Sequence, residues 1–167
     1  ALYKGKSFAE IANLFGVSLE SSSKNSDSGK KRMTVKNFSE LVVLKMFESD
    51  AKSLNEIEDF YKIGLIAKSL PLDNKGKPKE SMKMFTPNFD EWMSEETFAE
   101  SYMRDYFAEH QFLLIVYQYT HPDKKNTDPN YIKFVGFKRV YFTDSFIDTA
   151  VWKFWYEVRT LIMKKEL

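Results

Sequence analysis

The longest unbroken apolar run in the chain, Phe112 to Tyr117, spans only six residues. That is about one β-strand, and far short of the ~18–20 apolar residues a membrane span needs. A core must therefore be assembled from several short segments, each offering one face. The 167 residues fit one domain, and with 43% hydrophobic and 16% aromatic residues they can bury a core rich in rings. Cysteine is absent. That removes disulfides, thiolate zinc sites and cysteine nucleophiles, and it suits a reducing, cytoplasmic compartment. Ala1 to Lys6 is followed by a polar-faced segment, so no signal peptide is expected. The net charge of +1 is uninformative as a total, because nucleic-acid binders are recognised by local clustering.

Periodicity separates helices from strands. Ser7-Phe8-Ala9-Glu10 has the form of a capping box, and Phe8, Ile11, Ala12, Leu14 and Phe15 follow at helical spacing up to Gly16. Glu20 to Arg32 carries no large apolar side chain, which predicts a flexible loop over residues 20–33. Asn37 to Phe47 predicts a second helix, with Asn37 and Glu40 as its cap pair. Leu65 to Leu70 predicts a short strand ended by Pro71, Asp73 to Gly76 a turn, and Glu80 to Phe85 the returning strand of a hairpin. Ser94, Glu95 and Glu96 predict the start of a helix reaching His110. Strands are expected from Phe112 to Tyr119 and from Tyr131 to Phe142. In the last segment, Phe146-Ile147, Ala150-Val151, Phe154-Trp155, Val158 and Leu161-Ile162 make one broad apolar face. A helix ending at Met163 is expected to pack that face across the sheet. No internal repeat or second core is visible. The pattern predicts an α+β fold, a small mixed sheet flanked by helices.

One stretch carries chemistry. Ile66 and Lys68 are two apart on the predicted strand, so their side chains leave on the same face, and Asp59 precedes the strand closely enough to reach it. An Asp, then an acid and a Lys two apart, is what Mg²⁺-assisted phosphodiester hydrolysis needs. Two carboxylates hold the hard cation, the metal polarises the phosphate, and the Lys steadies the attacking water or the developing charge. Here Ile66 stands where the second carboxylate belongs.

This stretch resembles the active-site segment of the MutH family, which comprises the mismatch-repair nicking endonuclease and related type II restriction enzymes that recognise GATC. The family has an Asp-Phe pair, a Gly-Val-Glu-Leu-Lys-Thr strand and a Gly-(Lys/Arg)-Pro-x-Glu-(Ser/Thr) segment after a turn. Similar here are Asp59-Phe60, then Gly64-Leu65-Ile66-Ala67-Lys68-Ser69, then Gly76-Lys77-Pro78-Lys79-Glu80-Ser81. The resemblance puts the metal-binding Asp on Asp59, the Lys on Lys68 and the metal-binding Glu on Ile66. A further active-site Glu, on the family's preceding helix, falls on Leu44. The likeness covers most of residues 1–167, its sharp part being about two dozen residues, and it implies a single restriction-endonuclease-like (MutH-like) domain. The lost acids resemble the C-terminal domain of the GATC-cutting restriction enzymes, an inactive MutH-like domain that binds DNA as an effector beside an active N-terminal one. The linker-like start at Ala1 fits that half, and the family's further C-terminal base-reading segment is expected to be missing after Leu167. The resemblance thus implies a DNA-binding pseudo-nuclease with no intact catalytic set and no metal of its own, Mg²⁺ serving the parent enzyme. Its implied partners are double-stranded DNA and an active nuclease domain in the same parent chain. A dimer is compatible with it, and a membrane is not.

Plainer readings compete residue by residue. Asp59 also suits a loop or cap, Lys68 a solvated strand lysine, and Ile66 ordinary packing, the reading preferred for it. For DNA, Lys36, Lys68, Lys77 and Lys79 are expected around one cleft, with Lys75 beside them on the turn. The loop cations Lys24, Lys30, Lys31 and Arg32 read first as a solvated run. His110 and His121 lack ligand spacing, which argues against a metal role. Trp92, Trp152 and Trp155 are expected in the core. Two rivals stand beside the DNA-binding reading. One is an active Mg²⁺-dependent endonuclease in which Asp59 binds metal and Glu58 or Glu80 replaces the lost ligand. The other is a structural dimerisation module that does not touch DNA.

Overall fold

The computed structural model describes residues 2–17, 35–95, 97–123 and 126–166, with the backbone alone for 35–38. The loop expected over 20–33 lies outside the described residues. In chain order come α1 (Phe8–Leu14), α2 (Val35–Met46), a 3₁₀ turn (Leu54–Glu56), α3 (Glu58–Lys62) and β1 (Leu65–Leu72). There follow α4 (Phe89–Ser94), a 3₁₀ turn (Phe98–Glu100), α5 (Tyr102–Glu109), β2 (Gln111–Tyr119) and β3 (Ile132–Val140). The last helical run is α6 (Asp144–Phe146), a π-helical turn (Ile147–Val151) and α7 (Trp152–Met163). Among the described residues the sheet has three strands in the order β1-β2-β3. The first pair is parallel, from Leu65↔Gln111 to Leu72↔Gln118, and the second is antiparallel. The fold is α+β with a small mixed sheet. No helix among the described residues is long and apolar enough to cross a membrane.

A parallel pair needs a long connection, and residues 73–110 supply it through α4 and α5. The pairing begins at Gly64, whose φ of +61° is the left-handed conformation that favours glycine. A Cβ there would meet the carbonyl oxygen of Glu109 at 2.8 Å, while Gln111 donates its N–H to the Gly64 carbonyl at 2.8 Å. The end of α5 and the start of β2 are thereby seated against the start of β1.

Local signals place α1 correctly. Ser7 Oγ accepts the Glu10 N–H at 3.1 Å, and Glu10 Oε2 accepts the Ser7 N–H at 2.6 Å. These bonds, the backbone one first, hold the Glu10 carboxyl below its ordinary value. Other expectations need correction. α2 starts at Val35, so Asn37 is not its cap, and Glu40 instead accepts the Leu54 N–H at 3.0 Å. β1 runs through Pro71 to Leu72. Ala67 turns its N–H outward to Asn55 Oδ1 at 2.8 Å. Pro71, four residues on, has the same orientation, so its missing N–H costs no ladder bond. Glu80 to Phe85 forms no strand: the chain bridges back only at Leu72↔Pro78. The carbonyls of Lys83 and Met84 go to the Lys68 ammonium, and Met84 also accepts the Tyr106 hydroxyl at 2.7 Å. Ser94 ends a helix rather than starting one, and the buried Ser101 caps α5 by accepting the Arg104 N–H.

Both faces of the sheet are covered. On one, Ile115 and Tyr117 of β2 and Phe134 of β3 join Phe8 and Ile11 of α1 and Val42 to Leu44 of α2. On the other, Phe112 meets the rings of Tyr106, Phe107 and Phe142 at centroid distances of 5.7, 6.3 and 5.6 Å. A second cluster, absent from the sequence reading, joins Trp92, Met103, Ile147, Val151 and Trp155. The last helical run packs on α4 and α5 in this cluster rather than directly across the sheet. Ile147, Val151 and Trp155 are spaced by four, which in a pure α-helix of 3.6 residues per turn would drift around the axis. The wider π turn keeps all three pointed inward. Trp152 falls off that stripe: it is 43% exposed and stacks on Tyr156.

Trp155 anchors the second cluster. Its indole N–H donates to Glu95 Oε2 at 2.6 Å, and its ring lies 5.7 Å from Phe98. Trp155→Ala should destabilise the fold by roughly 3–5 kcal/mol in urea titrations. Trp155→Phe should cost less, losing the hydrogen bond but keeping a ring. An alanine variant that melts with the parent would show the cluster contributes nothing.

Candidate nucleic-acid interface

The outer edge of β1 borders a cleft of about 660 Å³ whose walls include Glu40, Asn55, Lys68, Glu80, Tyr117 and Tyr119. Strand alternation puts Ile66 and Lys68 on the Phe112 side of the sheet, since Ile66↔Phe112 and Lys68↔Leu114 are partners. Lys68 crosses to the irregular segment after the turn and donates to the carbonyls of Lys83, at 3.0 Å, and Met84. Its charge thus holds the segment that walls the cleft. Ile66 is half-buried beside Phe112 and is not part of the cleft wall. Leu44, the helix position matched to a family Glu, is buried in the first cluster.

The carboxylates do not gather. Asp59 is exposed in the first turn of α3, where a loop or cap reading suits it, and it does not line the cleft. Glu58 pairs with Lys62 at 2.7 Å. Glu40 and Glu80 reach the cleft from α2 and from the segment after the turn. Among the described residues no group of three or more His, Asp or Glu could hold a metal ion. Glu40 and Glu80 thus share the cleft, while Glu58 and Asp59 stand outside it.

The basic turn is better defined. Asp73 Oδ1 accepts the N–H groups of Lys75 and Lys77, both at 2.9 Å, and its carbonyl accepts the Gly76 N–H at 3.0 Å. Gly76 has φ +77°, as such a turn requires. The turn is tied to the sheet where Lys79 donates its N–H to the Pro71 carbonyl at 2.9 Å and where Gln118 Nε2 reaches the Asp73 carbonyl at 3.1 Å. Lys75, Lys77 and Lys79 are all exposed, and Lys79 Nζ lies 3.6 Å above the centre of the Tyr119 ring. The four lysines expected around one cleft are therefore arranged differently. Lys68 belongs to the large cleft, Lys79 to a smaller hollow beyond Tyr119, and Lys77 to the open turn. Lys36 falls in α2, but its side chain lies outside the described residues, as do Lys24, Lys30, Lys31 and Arg32.

Tyr119 separates the two hollows and the buried Tyr117 lines the larger one, neither being expected at the site. Their i, i+2 spacing on β2 was the available signal. Burial first, then the neighbouring Tyr119 and Glu80, pushes the Tyr117 hydroxyl well above its ordinary range; burial and then Glu80 raise Tyr119. His110 turns its ring Nδ1 to the Tyr106 carbonyl at 3.1 Å. No protein-family model and no curated protein sequence matches the chain.

Tyr106 offers a pH test of how the cleft wall is held. Burial, and then Tyr102, raises its hydroxyl from 10 to about 12. The unfolded chain loses this proton first, so the contribution of Tyr106 is complete below pH 10 and is lost as pH rises towards 12. Urea titrations between those values should show parent stability falling more steeply than that of Tyr106→Phe. Parallel curves would mean that Tyr106 is free to ionise in the folded protein.

Proposed function

We propose that this chain is a MutH-like DNA-binding domain whose nuclease site is vestigial, an effector domain of a GATC-specific type II restriction endonuclease. One observation carries the reading. The Asp59–Ile66–Lys68 spacing and the lysine-bearing turn of a nuclease segment are kept, while both matched glutamate positions, Ile66 and Leu44, are apolar. A lone exposed Asp59 leaves a hard cation that wants several oxygen ligands without its partners. The family's Mg²⁺ would then serve an active domain of the parent chain.

The surface suited to phosphate is the turn rather than the large cleft, because Glu40 and Glu80 make the cleft unfavourable for an anion. Lys75 and Lys77 stand exposed on a hydrogen-bonded scaffold, and Lys79 lies beside them over the Tyr119 ring, so the turn presents its cations with little further backbone ordering. Such contacts position a duplex without reading its sequence. A structural dimerisation module remains the rival, favoured by the exposed rings of Trp152, Phe154 and Tyr156 on α7.

In anisotropy titrations of a GATC duplex, affinity should fall steeply with salt, with a log–log slope of about −0.9 per phosphate neutralised. Replacing Lys77 and Lys79 by Ala should weaken binding to GATC and scrambled duplexes alike, and flatten the slope by up to about two units. No binding at low salt, together with a dimer by light scattering, would favour the rival. Supercoiled plasmid should stay intact with Mg²⁺ or Mn²⁺. Nicking that Asp59→Ala abolishes would instead establish an active enzyme.

A further inference from the structure

Beyond Tyr119, where β2 ends, a hollow of about 200 Å³ is walled by Asp73, Asn74, Pro78, Lys79, Tyr119 and His121. It is smaller than the ~300 Å³ at which pockets for drug-sized ligands begin, so it suits a single flat ring system. The Tyr119 ring forms one wall. His121 is fixed at another: its Nδ1 accepts the Asp123 N–H at 3.1 Å, and its ring meets Tyr131 edge-on at 4.8 Å. Asn74 also lines the hollow. Lys79 lines it while itself exposed, and the exposed Lys77 stands two residues away on the turn.

Resting on the reading of this turn as a phosphate-binding surface, we propose that the hollow receives one unpaired nucleobase, stacked on Tyr119, with the adjoining phosphate held by Lys77 and Lys79. The ammonium of Lys79 now covers the ring face a base would use. An exposed cation–π contact is worth roughly two- to five-fold in an equilibrium constant. A base stacked on an aromatic side chain is worth roughly five- to a hundred-fold. The exchange therefore favours the base, and the displaced ammonium gains a phosphate. A fully paired duplex must unstack a base to fill the hollow, a cost least for a base already unpaired. The site thus selects bulges, mismatches and single strands over continuous duplex, or else a free nucleotide of the same chemistry.

The test uses the whole chain and two labelled DNAs of one sequence, a fully paired duplex and the same duplex with one extrahelical thymine, with free dTMP as competitor. The bulged DNA should bind roughly ten-fold tighter. Tyr119→Phe should keep that ratio, and Tyr119→Ala should bring it near one. If Tyr119→Ala fails to fold, His121→Ala should lower the ratio. Competition by dTMP only at millimolar concentration identifies the strand as the source of the base, and competition at micromolar concentration identifies the free nucleotide. Equal binding of bulged and paired DNA overturns the pocket and leaves the DNA-binding reading standing. If neither DNA binds, that reading falls; the pocket then survives only if dTMP shifts the His121 ring resonances, and is overturned if it does not.

Discussion

A contact too tight for any side chain sets the start of the parallel pair. Gly64 lies where a methyl group would press on the Glu109 carbonyl, and its own carbonyl takes the first N–H of β2. Once that junction is made, the register of β1 against β2 follows residue by residue. It decides that Ile66 and Lys68 share a face with Phe112, and it delivers the basic turn to the far end of β1. The placement of Lys68 and of the basic turn depends on this one approach.

The other organising group is the carbonyl of Met84. Lys68 and Tyr106 both donate to it, one from the sheet and one from α5. A segment without a ladder of its own is thereby held by side chains. Lys68 is thus a structural strut, and the exposed cations Lys75, Lys77 and Lys79 lie on the turn that follows β1.

What could be read from the sequence was local. The Ser7–Glu10 capping box, the Asp73–Gly76 turn and the β2 run depend on neighbours a few residues away, and they stand where expected. The Glu80–Phe85 strand failed because Lys68 and Tyr106, distant in the chain, took its carbonyls, whereas Ser94 and Glu95 close α4, which Asn88 caps and where Glu95 donates its N–H to the Glu91 carbonyl. The paired apolar stripe of the last helix was visible, but the π turn that decides which rings stay inside was not, so Trp152 was misplaced. At the site, the turn lysines were legible as a cluster. Glu40 and Asn55 at the cleft, and Lys79 on Tyr119, were not, because each comes from an element far away in the chain.

The outer edges of the sheet are also occupied. Along β3, Gly5 donates to the Phe134 carbonyl, Phe134 donates to that of Lys6, and Ser7 bridges Lys133. Along β1, Asn55 takes the Ala67 N–H, Pro71 has none to give, and Lys79 takes the Pro71 carbonyl. An incoming strand would have to peel these segments away before it could pair. At these positions the edges are guarded against templated strand pairing.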